Sequence, residues 1–302
     1  MEPSGVIIIN KPEGMTSHDV VNKMRRLFST RRVGHTGTLD PMATGVLVVL
    51  IGRAAKAAEY LSSDEKGYIA TLRLGTTYDT EDITGTPISV SDTIPSEDIV
   101  YTAINNFVGE ILQTPPMYSA LKVNGQKLCD LARKGVQIER EARPVTIYSI
   151  DAKKGEQSTD YILSVKCSAG TYIRTLCADI GASLGCGGAM ATLCRTLAGG
   201  FSIENSHTLE ELEALSIEKR QSLLIPTESL FSSLLAIKLP AFYEKLCRNG
   251  CEIYLSKLRL STSLSLGQRV RLCSQAGDFF ALGEVREYND GLAIKAIKLF
   301  DI

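Results

Sequence analysis

The sequence holds only three histidines, His18, His35 and His207, and none of its eight cysteines forms a C-x-x-C pair. Zinc sites need thiolates and imidazoles at short, repeated spacings. Cys247 and Cys251 are close together but lack a second pair at ligand spacing, so no metal is assigned and the cysteines are expected to be buried free thiols. Long apolar runs are missing too. The longest, "GVLVVLIG", ends at Arg53, far short of the roughly 20 residues that cross a bilayer. The opening "MEPSGVIIINK" carries an acid and a proline where a secretory leader carries basic residues, so a cytoplasmic protein is expected. Neither the Walker pattern nor the dinucleotide pattern G-x-G-x-x-G is present, which argues against the common phosphate cradles. Charge of one sign is also lacking. With 33 basic and 34 acidic residues, the chain is not a uniformly basic nucleic-acid binder, although a balanced total can hide a basic face.

What is present suggests about two domains in 302 residues with 44% hydrophobic content. "GVIIINK" reads as a strand, and "HDVVNKMRRLF" as an amphipathic helix with Val20, Val21, Met24, Leu27 and Phe28 on one stripe. After a glycine-rich loop come the strand "GVLVVLIG", the helix "AAKAAEYLSS" and the strand "KGYIATLRLG". "YDTEDITGTP" is a polar loop, "SEDIVYTAINNFVGEI" a capped helix, and "MYSALKVNGQKL" a strand-like run with an Asn-Gly turn. "LARKGVQIEREARPVTIYSI" passes from helix to strand. "DYILSVKCSAGTYIRTLCADIGASLG" reads as a strand ending at Gly170 and a helix opening at Thr171, and "MATLCRTLAGGFS" as a strand. From about Ser229 the texture changes to a connector and short strand candidates, "RVRLC", "FFALGEV" and "LAIKAIKLF", which suggests a small β-barrel. The fold class is α+β.

Chemistry concentrates in "RRVGHTGTLDPMATGVLVV", which starts at Arg31. His35, Thr36, Thr38 and Asp40 crowd into a loop that enters a strand, so no helix N-terminus is offered to a phosphate. Locally, Asp40 reads equally as a turn cap ahead of Pro41. It stands as a lone carboxylate, which argues against glycosidase chemistry with its pair of acids. Lys23, Arg25, Arg26, Arg31 and Arg32 lie before it with no acid among them. The segment from Lys122 to Arg143 adds Lys127, Arg133, Lys134 and Arg140 against Asp130, Glu139 and Glu141. Either cluster alone reads as a solvated helix face; two of them flanking one loop keep a nucleic-acid face open.

"GHTGTLDPMATGVL" resembles the catalytic-aspartate motif of the bacterial tRNA pseudouridine synthase B (TruB) family. "NKPEGMTSHDVV" resembles the family's N-terminal motif, "YIATLRLGTTYDTEDITG" its tyrosine-bearing motif, "PPMYSALKVNGQKLCDLARKG" its RNA-gripping insertion, and "SAGTYIRTLCADIG" its arginine motif. These motifs, in the family's order, cover most of residues 5 to 200. The resemblance implies a pseudouridine synthase domain over residues 1–230, with a mixed, mainly antiparallel central sheet flanked by helices and an RNA-gripping insertion at about 80–143. Residues 236–302 resemble a PUA-like β-barrel. The implied reaction converts the T-arm uridine (U55) of tRNA to pseudouridine, with no cofactor or metal. The implied partner is tRNA, through its T-arm and acceptor stem, with no guide RNA and a monomeric enzyme. By the resemblance, Asp40 is the catalytic carboxylate, Tyr68 stacks on the flipped base and is a candidate base for the C5 proton, and Arg174 pairs with Asp40. His35 is the candidate wedge that fills the place of the flipped base, Lys11 and Pro12 brace the loop, and Leu193 lines an apolar pocket. His18 stands where other family members have Asn, and it is given no role. Two rivals are an RNA-binding protein without catalysis and a dyskerin-type synthase that takes its target from a guide RNA.

Overall fold

The computed structural model describes residues 2–61, 65–119, 121–123, 125–132, 134–258, 260 and 262–300. The first elements are β1 (Gly5–Lys11), α1 (Ser17–Leu27), β2 (Val33–Thr36) and β3 (Thr44–Ile51). Helix α1 starts where the chain supplies a capping box: Thr16 Oγ1 accepts from the Asp19 amide at 3.1 Å, and Asp19 Oδ2 accepts from the Thr16 amide at 2.9 Å. Val20, Val21 and Met24 form its buried stripe. Strand β2 falls inside the stretch read from the sequence as loop. Its four residues pair with Val48–Ile51 of β3, so the strand exists because β3 offers an edge, not because "VGHT" has a strong β pattern. The segment read as the helix "AAKAAEYLSS" is a 3-10 helix, Gly52–Tyr60. Its buried alanines, Ala54 and Ala57, are spaced by the three-residue turn of that helix.

Next come β4 (Lys66–Leu74), β5 (Thr76–Tyr78), β6 (Pro87–Val90), α2 (Glu97–Asn105) and β7 (Gly109–Gln113). The expected long helix over this last stretch is therefore shorter, and its Ser96 makes no side-chain cap bond. The insertion continues with β8 (Lys122–Val123), β9 (Gln126–Lys127) and α3 (Leu128–Ala132). Asn124 of the expected turn and Arg133 of the basic cluster lie outside the described residues, as do the side chains of Lys122 and Lys127. Then follow β10 (Arg143–Lys154), β11 (Asp160–Cys167), α4 (Ile173–Ser183), β12 (Gly188–Ala198) and β13 (Phe201–Ser202). Helix α4 opens at Ile173, with Tyr172 as its N-cap, rather than at Thr171.

These strands form a nine-stranded mixed sheet in the order β1-β3-β12-β4-β11-β10-β7, with β2 on β3 and β13 on β12. The pairing of β12 with β3 is parallel and short, Cys194 opposite Thr44 and Arg195 opposite Gly45. Since β1 fills one edge of β3, β12 and β2 share the other edge, and the chain from 37 to 43 emerges from the fork between them. Gly45 sits in that fork at φ +96°, where a Cβ would stand 2.2 Å from the Arg195 carbonyl oxygen. Only glycine fits there.

One face of β4, β11 and β12 packs on α2 and α4 through Tyr68, Ala70, Leu72, Leu163, Leu176 and Leu193. β1 and β3 are covered on both faces, by α1 on one side and by the 3-10 helix on the other. That is why they read as unbroken apolar runs. After α5 (Leu209–Ala214) and α6 (Ile217–Ser222), the C-terminal region adds β14 (Ala236–Lys238), α7 (Ala241–Arg248), β15 (Ile253–Tyr254), β16 (Arg269–Cys273), β17 (Phe279–Tyr288) and β18 (Gly291–Leu299). Its five strands make a second sheet in the order β14-β16-β17-β18-β15. The sheet is seated on the 3-10 helix: Lys56 Nζ donates to Leu299 O at 3.2 Å, and Phe231, Leu282 and Phe300 pack with Ala57. Cysteine burial is less uniform than expected, since Cys251 is exposed and Cys194 half-buried. No helix among the described residues is long and apolar enough to cross a membrane.

Candidate active site

The segment carrying Asp40 is pinned from below. Ser17, at the start of α1, accepts from the Leu39 amide at 2.9 Å, and its hydroxyl reaches the Leu39 carbonyl at 3.2 Å. Leu39 is buried, and Ala43 N donates to Asp40 O at 3.0 Å to close a turn. Lys11 is fully buried, with Nζ donating to Pro12 O at 2.8 Å, Met15 O at 2.7 Å and Pro41 O at 3.2 Å. Each ammonium hydrogen thus has a carbonyl, the condition for burying such a group. Burial pulls Lys11 down, against the upward pull of the negative charges of Asp40 and Glu13, to about 8. The Lys11–Pro12 stretch meets the loop at Pro41, next to Asp40.

Arg174, on the first turn of α4, is 5% exposed and meets Asp40 with two nitrogens, Nε to Oδ2 at 3.0 Å and Nη2 to Oδ1 at 3.4 Å. Its remaining donors reach Tyr118 O at 2.7 Å and Thr80 O at 3.3 Å. One guanidinium thereby joins the Asp40 loop, the loop after β5 and the insertion. Asp40 keeps about a third of its side chain open, at 35%. Burial pushes its carboxyl above the usual carboxylate range; Arg174 pulls it back, and Asp82 pushes it further up.

Asp82 corrects the reading of Asp40 as a lone carboxylate. It is buried, its Oδ2 lies 3.9 Å from Arg174 Nε, and its Oδ1 accepts from the Thr84 amide at 2.9 Å and the Thr80 hydroxyl at 3.0 Å. The preceding Glu81 has φ +65°, a strained conformation for a residue with a Cβ, and accepts from Thr175 Oγ1 at 2.6 Å. In the sequence, "DTEDITG" looks like turn chemistry, because Asp and Thr serve turns with the same hydrogen bonds. The distinction lies in what faces Asp82, and that depends on the fold.

Tyr68 on β4 is 7% exposed, and burial raises its phenol. It shares a core cluster with Leu39, Ala43 and Leu193, and Asp40 is within electrostatic reach of its hydroxyl. Asp40, Arg174, Tyr68 and Leu193 are thus gathered in one place. His35 stands apart on β2, opposite Val49, half-buried; its imidazole is pulled below the usual histidine range mainly by burial, and further by the positive charge of Arg195. Its Nδ1 is buried with no hydrogen-bond partner among the described residues. A second residue missing from the sequence reading is Arg195, 1% exposed on β12, opposite Tyr68 in the strand register and within electrostatic reach of its phenol. Its signal was a charge inside the strand "MATLCRTLA", since arginine is almost never fully buried without a purpose.

Residues 25–173 match the TruB family pseudouridylate synthase N-terminal domain, and residues 174–232 the tRNA pseudouridylate synthase B C-terminal domain. The tRNA pseudouridine synthase B of Alkaliphilus oremlandii (strain OhILAs) is 42% identical over 297 residues, 98% of each chain. The chain belongs to the TruB family. That of Francisella philomiragia is 47% identical over 231 residues, 76% of each chain. Among solved structures, a crystal structure of a Cbf5-Nop10-Gar1 complex aligns with a TM-score of 0.75 and 27% identity, over 98% of this chain and 84% of that one. The TruB family match runs through the loop of Asp40, the strand of Tyr68 and the insertion, and it passes between its two domains at Arg174.

Proposed function

We propose that this TruB family chain converts the T-arm uridine (U55) of tRNA to pseudouridine, with Asp40 as its catalytic carboxylate. The carrying observation is Asp40 itself: a carboxylate held by two nitrogens of a buried arginine and partly open, flanked in the chain by Leu39 and joined through it to the core cluster that holds Tyr68 and Leu193. In the isomerisation, the N1–C1′ bond breaks, the base turns, a C5–C1′ bond forms, and the proton leaving C5 is balanced by one gained at N1. A carboxylate suits it as a nucleophile that later leaves or as a proton acceptor. Arg174 orients Asp40 and favours its ionised form. Tyr68 stacks on the flipped base, Leu193 packs its edge, His35 fills the vacated stack, and Lys11 and Pro12 hold the loop. No cofactor takes part.

In this reading residues 1–230 are the catalytic domain, with an insertion at about 80–143 that grips the T-arm, and residues 236–302 a PUA-like domain on the acceptor stem. A cavity of about 500 Å³ lined by Arg31, Arg32, Arg53 and Lys56 lies beside the seat of the C-terminal sheet, and offers phosphates a cationic recess. The enzyme works as a monomer in the cytoplasm without guide RNA. Support for independence from a guide comes from the bacterial tRNA pseudouridine synthase B of Alkaliphilus oremlandii, which matches at 42% over 98% of each chain, against 27% for the Cbf5-Nop10-Gar1 complex.

Tritium release from C5-labelled uridine in a tRNA transcript, with no other RNA added, tests the activity. The full chain should convert it. Asp40→Asn should give no turnover above background while keeping tRNA affinity within about tenfold, or ~1.4 kcal/mol. A variant that retained a tenth of the parent rate would remove Asp40 from the chemistry.

A further inference from the structure

Arg195 is among the largest fully buried side chains. Its hydrogen-bond partners among the described residues are backbone carbonyls, and the neighbouring titratable group that acts on it is the Tyr68 phenol rather than a carboxylate. Burying an unpaired guanidinium is costly, and an apolar residue of similar volume commonly serves stability as well or better. Its placement offers a reason for the cost. Nε donates to Val46 O at 2.8 Å, and Nη2 donates to Gly37 O at 2.9 Å. Gly37 directly follows β2 and Val46 lies just inside β3, so one guanidinium bridges the two roots of the segment that carries Asp40. Gly37 holds φ +66°, and a Cβ there would come within 3.2 Å of Arg195 Nη1. The backbone repeats the link: Arg195 is registered against Gly45 on one side and Tyr68 on the other.

The guanidinium is also within electrostatic reach of the phenol of Tyr68, Arg195's partner in the strand register. We propose that Arg195 is a positioning residue for the isomerisation: it clasps both roots of the Asp40 loop and, from its place in the sheet, holds them in register with the strand of Tyr68, fixing the gap in which the target base is held. This rests on the assignment of Asp40 above. Arg174 governs the charge of Asp40, whereas Arg195 governs where the carboxylate stands relative to the ring. A displacement of about 1 Å in such a gap is enough to cost on the order of 100-fold in rate.

The test uses the full chain, with Arg195→Met and Arg195→Lys measured beside the parent and Asp40→Asn. Single-turnover tritium release at saturating enzyme gives the rate, and filter binding of unmodified tRNA gives the affinity. Arg195→Met should bind tRNA within about threefold of the parent and lose on the order of 100-fold in rate. Arg195→Lys, which keeps the buried charge but has one nitrogen in place of a fork, should recover part of that rate with unchanged affinity. Retention of the parent rate by Arg195→Met overturns the proposal. So does a joint loss of rate and binding, or of folding, in both variants, which would make Arg195 a structural residue only. A parent without turnover would sink the assignment of function itself, and an active parent beside an unaffected Arg195→Met would sink only this inference.

Discussion

Arg174 and Arg195 are both at most 5% exposed, yet their surroundings share almost nothing. Arg174 faces two carboxylates, Asp40 and Asp82, from the start of a helix. Arg195 faces two backbone carbonyls and a phenol from the middle of a strand. In the first region, fixed charge acts on a titrating group; in the second, fixed donors act on chain geometry. A buried cation therefore carries no single meaning, and its partners decide whether to expect an effect on pH behaviour or on spacing.

The largest consequence falls on the first region. Arg174→Met leaves Asp40 with burial and Asp82 but without its counter-cation, so both orientation and ionisation are lost. Single-turnover rates should drop by about 10²–10⁴. Arg174→Lys should restore little, because an ammonium cannot span both carboxylate oxygens. Recovery to near the parent rate by Lys would reduce the fork to a point charge and erase the contrast with Arg195.

Tyr68 sits where the two regions meet. Tyr68→Leu removes the ring, and stacking is worth about 1–3 kcal/mol per base, so roughly a ten- to hundredfold loss is expected by the same conversion. Tyr68→Phe keeps the ring but removes the phenol that lies within electrostatic reach of Arg195, and should lose about tenfold if the hydroxyl helps set the gap. Equal activity of Phe and Tyr at this position would confine the role of Arg195 to the loop.

The pH profile separates the regions more finely. Asp40 titrates above the ordinary carboxylate range, and in the proposed reaction its charged form is the working one. Activity is therefore held above that raised pKa and falls as pH drops through it. Asp82 contributes to the rise, so Asp82→Asn should shift the acid limb downward, whereas Arg195→Lys should leave it in place. A shifted limb in the latter would mean that both arginines act through charge. The smallest effect belongs to Thr175→Val, which deletes the hydrogen bond to Glu81. Urea unfolding should show a loss of about 1 kcal/mol, with the rate nearly unchanged.

Much of this fold could be read from residues alone where one element satisfies itself. The stripe of α1 and the apolar runs of β1 and β3 are local patterns. Strand β2 was not legible, because four residues containing a glycine and a histidine become a strand only when β3 presents its edge. Asp40, Tyr68 and Arg174 were picked out by motif resemblance, since nothing in their spacing says that they meet. Asp82 and Arg195 escaped for a related reason. Each looks ordinary in its own segment, and the register that brings Arg195 opposite both Gly45 and Tyr68 exists only in the assembled sheet.

The insertion of β12 between β3 and β4 also sets a schedule for the molecule as it is made. The N-terminal motifs leave the ribosome long before Gly188–Ala198 does, and until then β3 and β4 have no strand to join them. Such pairing between distant parts of the chain is slow to form and leaves strand edges open in the meantime. A nascent chain halted before Gly188 would carry Asp40, Tyr68 and Arg174 and still have no active site, because the strand that brings their segments together is the last of them to be synthesised.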